Sequence, residues 1–184
     1  MADARPEFEV DDAIVLLLGS DPGHAERRGE IRGITRLEKL VFLLEQETEA
    51  AAAMTEAAEY RAHHYGPFSQ KVYQAIEVLR AAGLIEDSAQ ATATNEDQSE
   101  YARVAGNDAA PAPYSTRDFR LTEDGRHYYR ALVAELPRQV TADAERLRKQ
   151  FAGWPLRRLI RYVYEAYDEF TTNSRIRGEV LNEG

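Results

Sequence analysis

Val10, Ala13, Ile14, Leu17 and Leu18 recur at i, i+3, i+4 and i+7 steps, which predicts a helix with one buried face. Asp21-Pro22-Gly23 ends it with turn residues, and a polar segment runs on to Gly33. Thr35-Arg-Leu-Glu38 reads as a capping box opening a second helix, the Thr hydroxyl accepting three residues on and the Glu reaching back. Leu37, Leu40, Val41 and Leu44 form its stripe, and Phe42 and Leu43 widen it, so this helix is expected to be central to the core. Glu49 to Ala58 is Ala-rich and fits either a short helix or a connector. Glu59 to Tyr65 alternates loosely and is aromatic, which predicts a short strand stopped by Gly66-Pro67.

The clearest local grammar follows. Ser69 is placed to cap a helix over Gln70 to Ala82 whose buried stripe is Val72, Ala75, Ile76 and Leu79. Gly83 stands where a left-handed residue ends a helix, and Leu84-Ile85 starts a strand. Residues 86–117 are rich in Ala, Thr, Asn, Asp and Pro, have no sustained period, and read as a variable hairpin insertion, with a strand around Tyr101 to Val104. Phe119-Arg-Leu121 is the returning strand, and Thr122 caps a helix with the stripe Gly125, Tyr128, Tyr129, Leu132, Val133 and Leu136. After Pro137 a polar helix is expected over Thr141 to Gln150. Trp154-Pro155 opens a last long helix with the stripe Leu156, Leu159, Ile160, Val163, Tyr164 and Tyr167, and Glu169 to Ile176 reads as a turn-like tail. The pattern predicts one mainly α domain with a small β hairpin (α+β) over residues 1–184. Its centre is a winged helix-turn-helix core at 34–136, with the wing insertion at 86–117 and a C-terminal helical extension at 137–184.

Charge changes the picture. The chain carries 23 Lys and Arg against 32 Asp and Glu, a net charge of −9, which argues against coating nucleic acid by charge alone. Only Lys39, Lys71 and Lys149 are lysines; the other cations are Arg. That bias suits either a halophile or a GC-rich genome. The one basic stretch, Arg126 to Arg161, has nine basic and three acidic residues. There is no cysteine, which fits a reducing, cytoplasmic setting and removes thiolate chemistry. Met1 to Asp12 has no basic start followed by an apolar stretch, so no signal peptide is expected, and Ala13 to Leu18 is too short to span a bilayer.

The order from Thr35 is helix, short segment, helix, Gly-Leu-Ile, hairpin, then Leu121-Thr-Glu-Asp-Gly125 and a helix. Residues 34–132, through Gly33-Ile-Thr-Arg-Leu-Glu-Lys-Leu40 and Tyr65-Gly-Pro-Phe-Ser69, resemble a group of phage-associated winged-helix proteins that includes the SocA-like antitoxin domain called Panacea. The resemblance implies antitoxins, adaptors or regulators, and no catalytic residues.

Two functions follow as expectations. The first is a winged-helix, DNA-binding transcriptional regulator. Helix 70–82 would enter a major groove with Gln70, Tyr73 and Gln74 outward, Lys71 and Arg80 on phosphates, and Arg103 and Arg117 acting from the wing. Glu77 on that face would repel a duplex. The alternative is a protein-binding module, an antitoxin or adaptor on the same scaffold. Arg146, Arg148, Lys149, Arg157, Arg158 and Arg161 form a candidate basic patch for phosphate, an acidic partner or the chain's own carboxylates. Tyr162, Tyr164, Tyr167 and Phe170 read as core, or as anchors of a homodimer through the C-terminal helices. His63 and His64 would point to opposite faces of a strand, and His24 and His127 bring no ligand spacing, so neither metal nor cofactor is expected. Nucleophile-elbow, phosphate-loop, dinucleotide and zincin motifs are missing from the sequence, so no enzyme is expected.

Overall fold

A computed structural model describes residues 8–63, 66–88, 117–174 and 177–181. The strand expected at Tyr101 to Val104 lies outside these residues, as does Arg103. The described elements are α1 (Val10–Gly19), a 3-10 turn (Ala25–Arg27), β1 (Glu30–Arg32), α2 (Ile34–Glu47), α3 (Ala50–Ala53), β2 (Arg61–His63), β3 (Gly66–Phe68) and α4 (Gln70–Ala81). They continue with β4 (Ile85–Asp87), β5 (Asp118–Leu121), α5 (Glu123–Glu135), α6 (Arg138–Phe151), α7 (Leu156–Ala166), a 3-10 turn (Asp168–Thr171) and α8 (Arg177–Leu181). The architecture is α+β, mainly helical, and no described helix is long and apolar enough to cross a membrane.

The run Ala13 to Leu18 is apolar on every side of its helix, and the fold uses every side. All six residues are fully buried, because α1 sits among α2, α4, α5, α6 and the sheet. Its one buried charge, Asp12, accepts from the Glu9 backbone N–H at 3.0 Å and from the Tyr128 hydroxyl at 2.5 Å.

The polar segment before Gly33 hides a strand. β1 pairs with β5, and β5 pairs with β4, both antiparallel, giving the order β1-β5-β4. Ile31 faces Phe119 and Ile85 faces Leu121 in register, and all four are buried. Outward, Glu30 accepts from Arg32 at 2.6 Å and from Arg120 at 2.9 Å. The core therefore extends N-terminally beyond Ile34 to include α1 and β1.

The expected Thr35–Glu38 capping box does not form. The N-cap lies two residues earlier, at Gly33, whose N–H is already held by the Arg117 carbonyl and the Asp118 carboxylate across the sheet. Glu38 is engaged elsewhere. Its carboxylate accepts from the Ser69 backbone N–H and from Lys39 Nζ, both at 3.0 Å. Lys39 Nζ also donates to the Pro67 carbonyl at 2.6 Å. Both side chains are buried, Lys39 at 1% and Glu38 at 5% exposure. The pair thus fastens α2 to the β2–β3 hairpin and to the cap of α4. Gly66 there has φ +90°, and a Cβ on it would lie 2.6 Å from the Tyr164 ring, so the turn admits no larger residue.

α4 follows its expected stripe: Val72, Ala75, Ile76 and Leu79 are buried. The Ser69 hydroxyl caps it at Val72 N–H and donates to the Ala58 carbonyl. Gly83, at φ +72°, makes the left-handed exit, and Thr122 ties the end of β5 to the residues before β4 by donating to the Gly83 carbonyl while capping α5 at Gly125 N–H.

α6 is not the polar helix expected. Val140, Ala144, Leu147 and Phe151 form a buried face with Asp143 and Arg148 among them. The C-terminal aromatics turn inward: Phe42 meets Tyr60, Tyr167 and Phe170 edge-to-face at 4.9, 4.9 and 5.2 Å. Tyr162 and Tyr167 donate to Glu47, and Tyr164 is buried.

Lys39→Met should cost roughly 3–5 kcal/mol, because Glu38 keeps its charge in the core without its cation. Urea unfolding checks this, and Glu38→Gln with Lys39→Met together should recover much of the loss.

Candidate functional site

The face expected to meet DNA is ion-paired within the chain. Gln70 and Gln74 are exposed at the start of α4, and Tyr73 is half-buried with its ring 5.2 Å from Phe68. Lys71 Nζ lies 2.9 Å from both Glu56 and Glu59. Arg80 meets Glu77 at 2.6 Å. Arg117, expected to reach out from the wing, is instead buried at the base of β5. It holds Glu77 at 2.9 Å, pairs with the buried Asp87 and lies over the Phe119 ring. The reason is local: β5 begins beside the end of β4, so the guanidinium falls between Asp87 and α4 rather than into solvent. Arg80 and Arg117 hold the Glu77 carboxyl below its ordinary value of 4.5, with the Arg80 bond the stronger cause.

The basic patch does not gather on one surface as separate free charges. Arg146 pairs with Asp143 at 2.6 Å, Lys149 with Glu145 at 2.6 Å and Arg161 with Glu165 at 2.9 Å. Arg158 stacks 3.8 Å over Trp154, and Arg157 is half-buried. Arg148 is a correction: it is 2% exposed, within the buried face of α6. His63 sits in β2 with its ring 4.8 Å from Phe68.

What the tertiary structure does assemble is a groove of about 340 Å³ between the start of α1 and the outer side of α4. Val10, Ala75 and Val78 give it an apolar lining, and Val78 is 58% exposed, the most exposed large apolar side chain among the described residues. Glu9, Asp11 and Glu56 line it together with Lys71, the single cation of its lining among the described residues, and Gln74. Half-burial, then the adjacent Asp12, pushes the Asp11 carboxyl above its ordinary value. The groove is thus apolar below and electronegative at its rim. The sequence carried one signal of it: Val78 is apolar yet lies off the buried stripe of its helix.

Because the folded value of Glu77 is lowered, its contribution to stability is present above pH 4.5 and is lost as pH falls through the folded value. Stability followed by urea midpoint should drop below about pH 4.5, and Glu77→Gln should flatten part of that slope. An unchanged slope would assign the acid sensitivity to other carboxylates.

No model of a known protein family matches this chain, and no curated protein matches it at a significant level.

Proposed function

We propose that the chain is a protein-binding module on a winged-helix scaffold, with the groove between α1 and α4 as its docking surface. The groove carries the reading: an exposed valine over an apolar floor, rimmed by acids, suits a basic amphipathic segment of a partner. The scaffold is supported by the sheet order β1-β5-β4, in which the strand before α2 pairs with β5, and by the succession α1, β1, α2, α4, β4, β5, with α3 and the β2–β3 hairpin inserted between α2 and α4. The resemblance of the Tyr65-Gly-Pro-Phe-Ser69 segment to antitoxin and adaptor domains points the same way.

Duplex binding through α4 is the less favoured reading for an electrostatic reason. Lys71, Arg80 and Arg117 would each have to leave a carboxylate before meeting a phosphate, and those carboxylates would then face the duplex.

The test compares the wild-type chain with Val78→Arg in two assays. In co-purification from the native host, the same basic partner should accompany the wild type at fixed stoichiometry, weaken with salt, and be reduced at least roughly tenfold with Val78→Arg. In selection of genomic DNA fragments across a salt series, neither chain should enrich a sequence. Specific fragments that are lost on Arg80→Glu would overturn the proposal in favour of a DNA-binding regulator.

A further inference from the structure

The start of α1 is fixed in place before any partner arrives. Phe8 is fully buried, forms a parallel bridge with Met54, and accepts from the Thr55 backbone N–H at 2.9 Å. That link holds the connector after α3 against the first turn of α1, while α4 packs on α1 from the other side. The lining of the α1–α4 groove is therefore preorganised, and binding there requires little ordering of the chain.

The charged groups of the lining are not equivalent. Lys71 Nζ lies 2.9 Å from Glu56, so that carboxylate already has its cation. Glu9 is exposed ahead of the helix. Asp11 is half-buried beside Val10, and among the described residues no cation pairs with it. Its Oδ1 accepts from the Asp12 backbone N–H at 3.1 Å. The Asp12 carboxylate is a like charge next to it, occupied by the Tyr128 hydroxyl of α5. Asp11 is thus surrounded by Glu9 and Asp12 of α1, Glu56 of the connector, Lys71 of α4 and Tyr128 of α5. An acid in the first turn of a helix normally gains from the helix dipole. Here burial, and then Asp12, outweigh the backbone bonds, and the carboxyl titrates above its ordinary 3.8. The fold keeps this charge beside an apolar groove at a cost to its own stability.

We infer that Asp11 is the specificity-determining residue of the groove, accepting a lysine or arginine of a partner segment whose apolar side chain seats on Val78. The inference rests on the docking reading and narrows the partner. A segment carrying a cation and an apolar side chain on one face of a helix, three or four positions apart, meets both requirements. Its cation supplies the charge that Asp11 lacks within the chain, so the contact is made only in the complex.

The test is fluorescence anisotropy of the full chain with a labelled amphipathic peptide of leucine and lysine at helical spacing, and with its leucine–glutamine counterpart. The lysine peptide should bind the wild type at least roughly tenfold more tightly than the glutamine peptide. Asp11→Asn should weaken the lysine peptide about tenfold, the loss expected for one charge-assisted contact, and leave the glutamine peptide as it was. Glu86→Gln removes the same charge from an exposed position on β4 and should leave affinity within about twofold. As pH falls, wild-type affinity for the lysine peptide should begin to drop above 3.8, and Asp11→Asn should not follow it there. Without peptide at neutral pH, Asp11→Asn should melt no lower than the wild type, whereas loss of a purely structural acid would lower the melting temperature. The two readings fail separately. No binding of the lysine peptide, or binding that Val78→Arg leaves intact, overturns the docking site and this inference with it. Binding abolished by Val78→Arg but equally sensitive to Asp11→Asn and Glu86→Gln, or sensitive to neither, overturns the assignment of Asp11 alone.

Discussion

Two opposite charges at successive positions of α2, Glu38 and Lys39, are taken out of water together, and the arrangement of the helices around them depends on that. Each also bonds a different backbone group: Ser69 N–H for the carboxylate, the Pro67 carbonyl for the ammonium. A pair buried this deeply tolerates little displacement, since moving either backbone group away would leave a charge unsatisfied in the core. The hairpin β2–β3, the cap at Ser69 and hence the start of α4 are therefore set by α2. The apolar contacts of α1 fill the space behind but are non-directional; the ionic junction supplies the register.

The same economy of charge governs the surface. An acidic chain places the cations of α4 and of the start of β5 against its own carboxylates, which leaves the outer side of α4 electrically occupied. What remains available there is shape and apolar area beside α1, framed by acids. Elsewhere backbone carbonyls take cations: Arg27 donates to the Ala152 carbonyl and Arg148 to the Glu30 carbonyl.

Much of the fold was legible because its signals are local. The stripe of α4, its Ser69 cap, the left-handed Gly83 and the Thr122 cap each follow from residues within one or two turns. β1 was not legible, since three residues with polar neighbours on either side carry no period, and their strand exists only because β5 lies alongside. The capping box at Thr35 failed because Glu38 found a stronger, distant partner. Arg148 and Arg117 read as surface charges because type and spacing say nothing of which carbonyls or carboxylates will enclose them. Of the groove, only Val78 left a trace, since Glu9, Val10 and Asp11 reach α4 through packing across some sixty residues of chain.

By itself, then, the sequence determined the class of the molecule: acidic, cysteine-free and mainly helical, with a capped helix leading through Gly83 into a strand in its middle. Periodicity and caps encode these because they depend on short-range sterics and hydrogen bonds. The tertiary structure alone decided which charges are buried, which cations are neutralised, and where an apolar groove opens between α1 and α4. Those properties depend on groups far apart in the chain meeting in low-dielectric surroundings, where the partner, not the residue type, sets the energy of a charge.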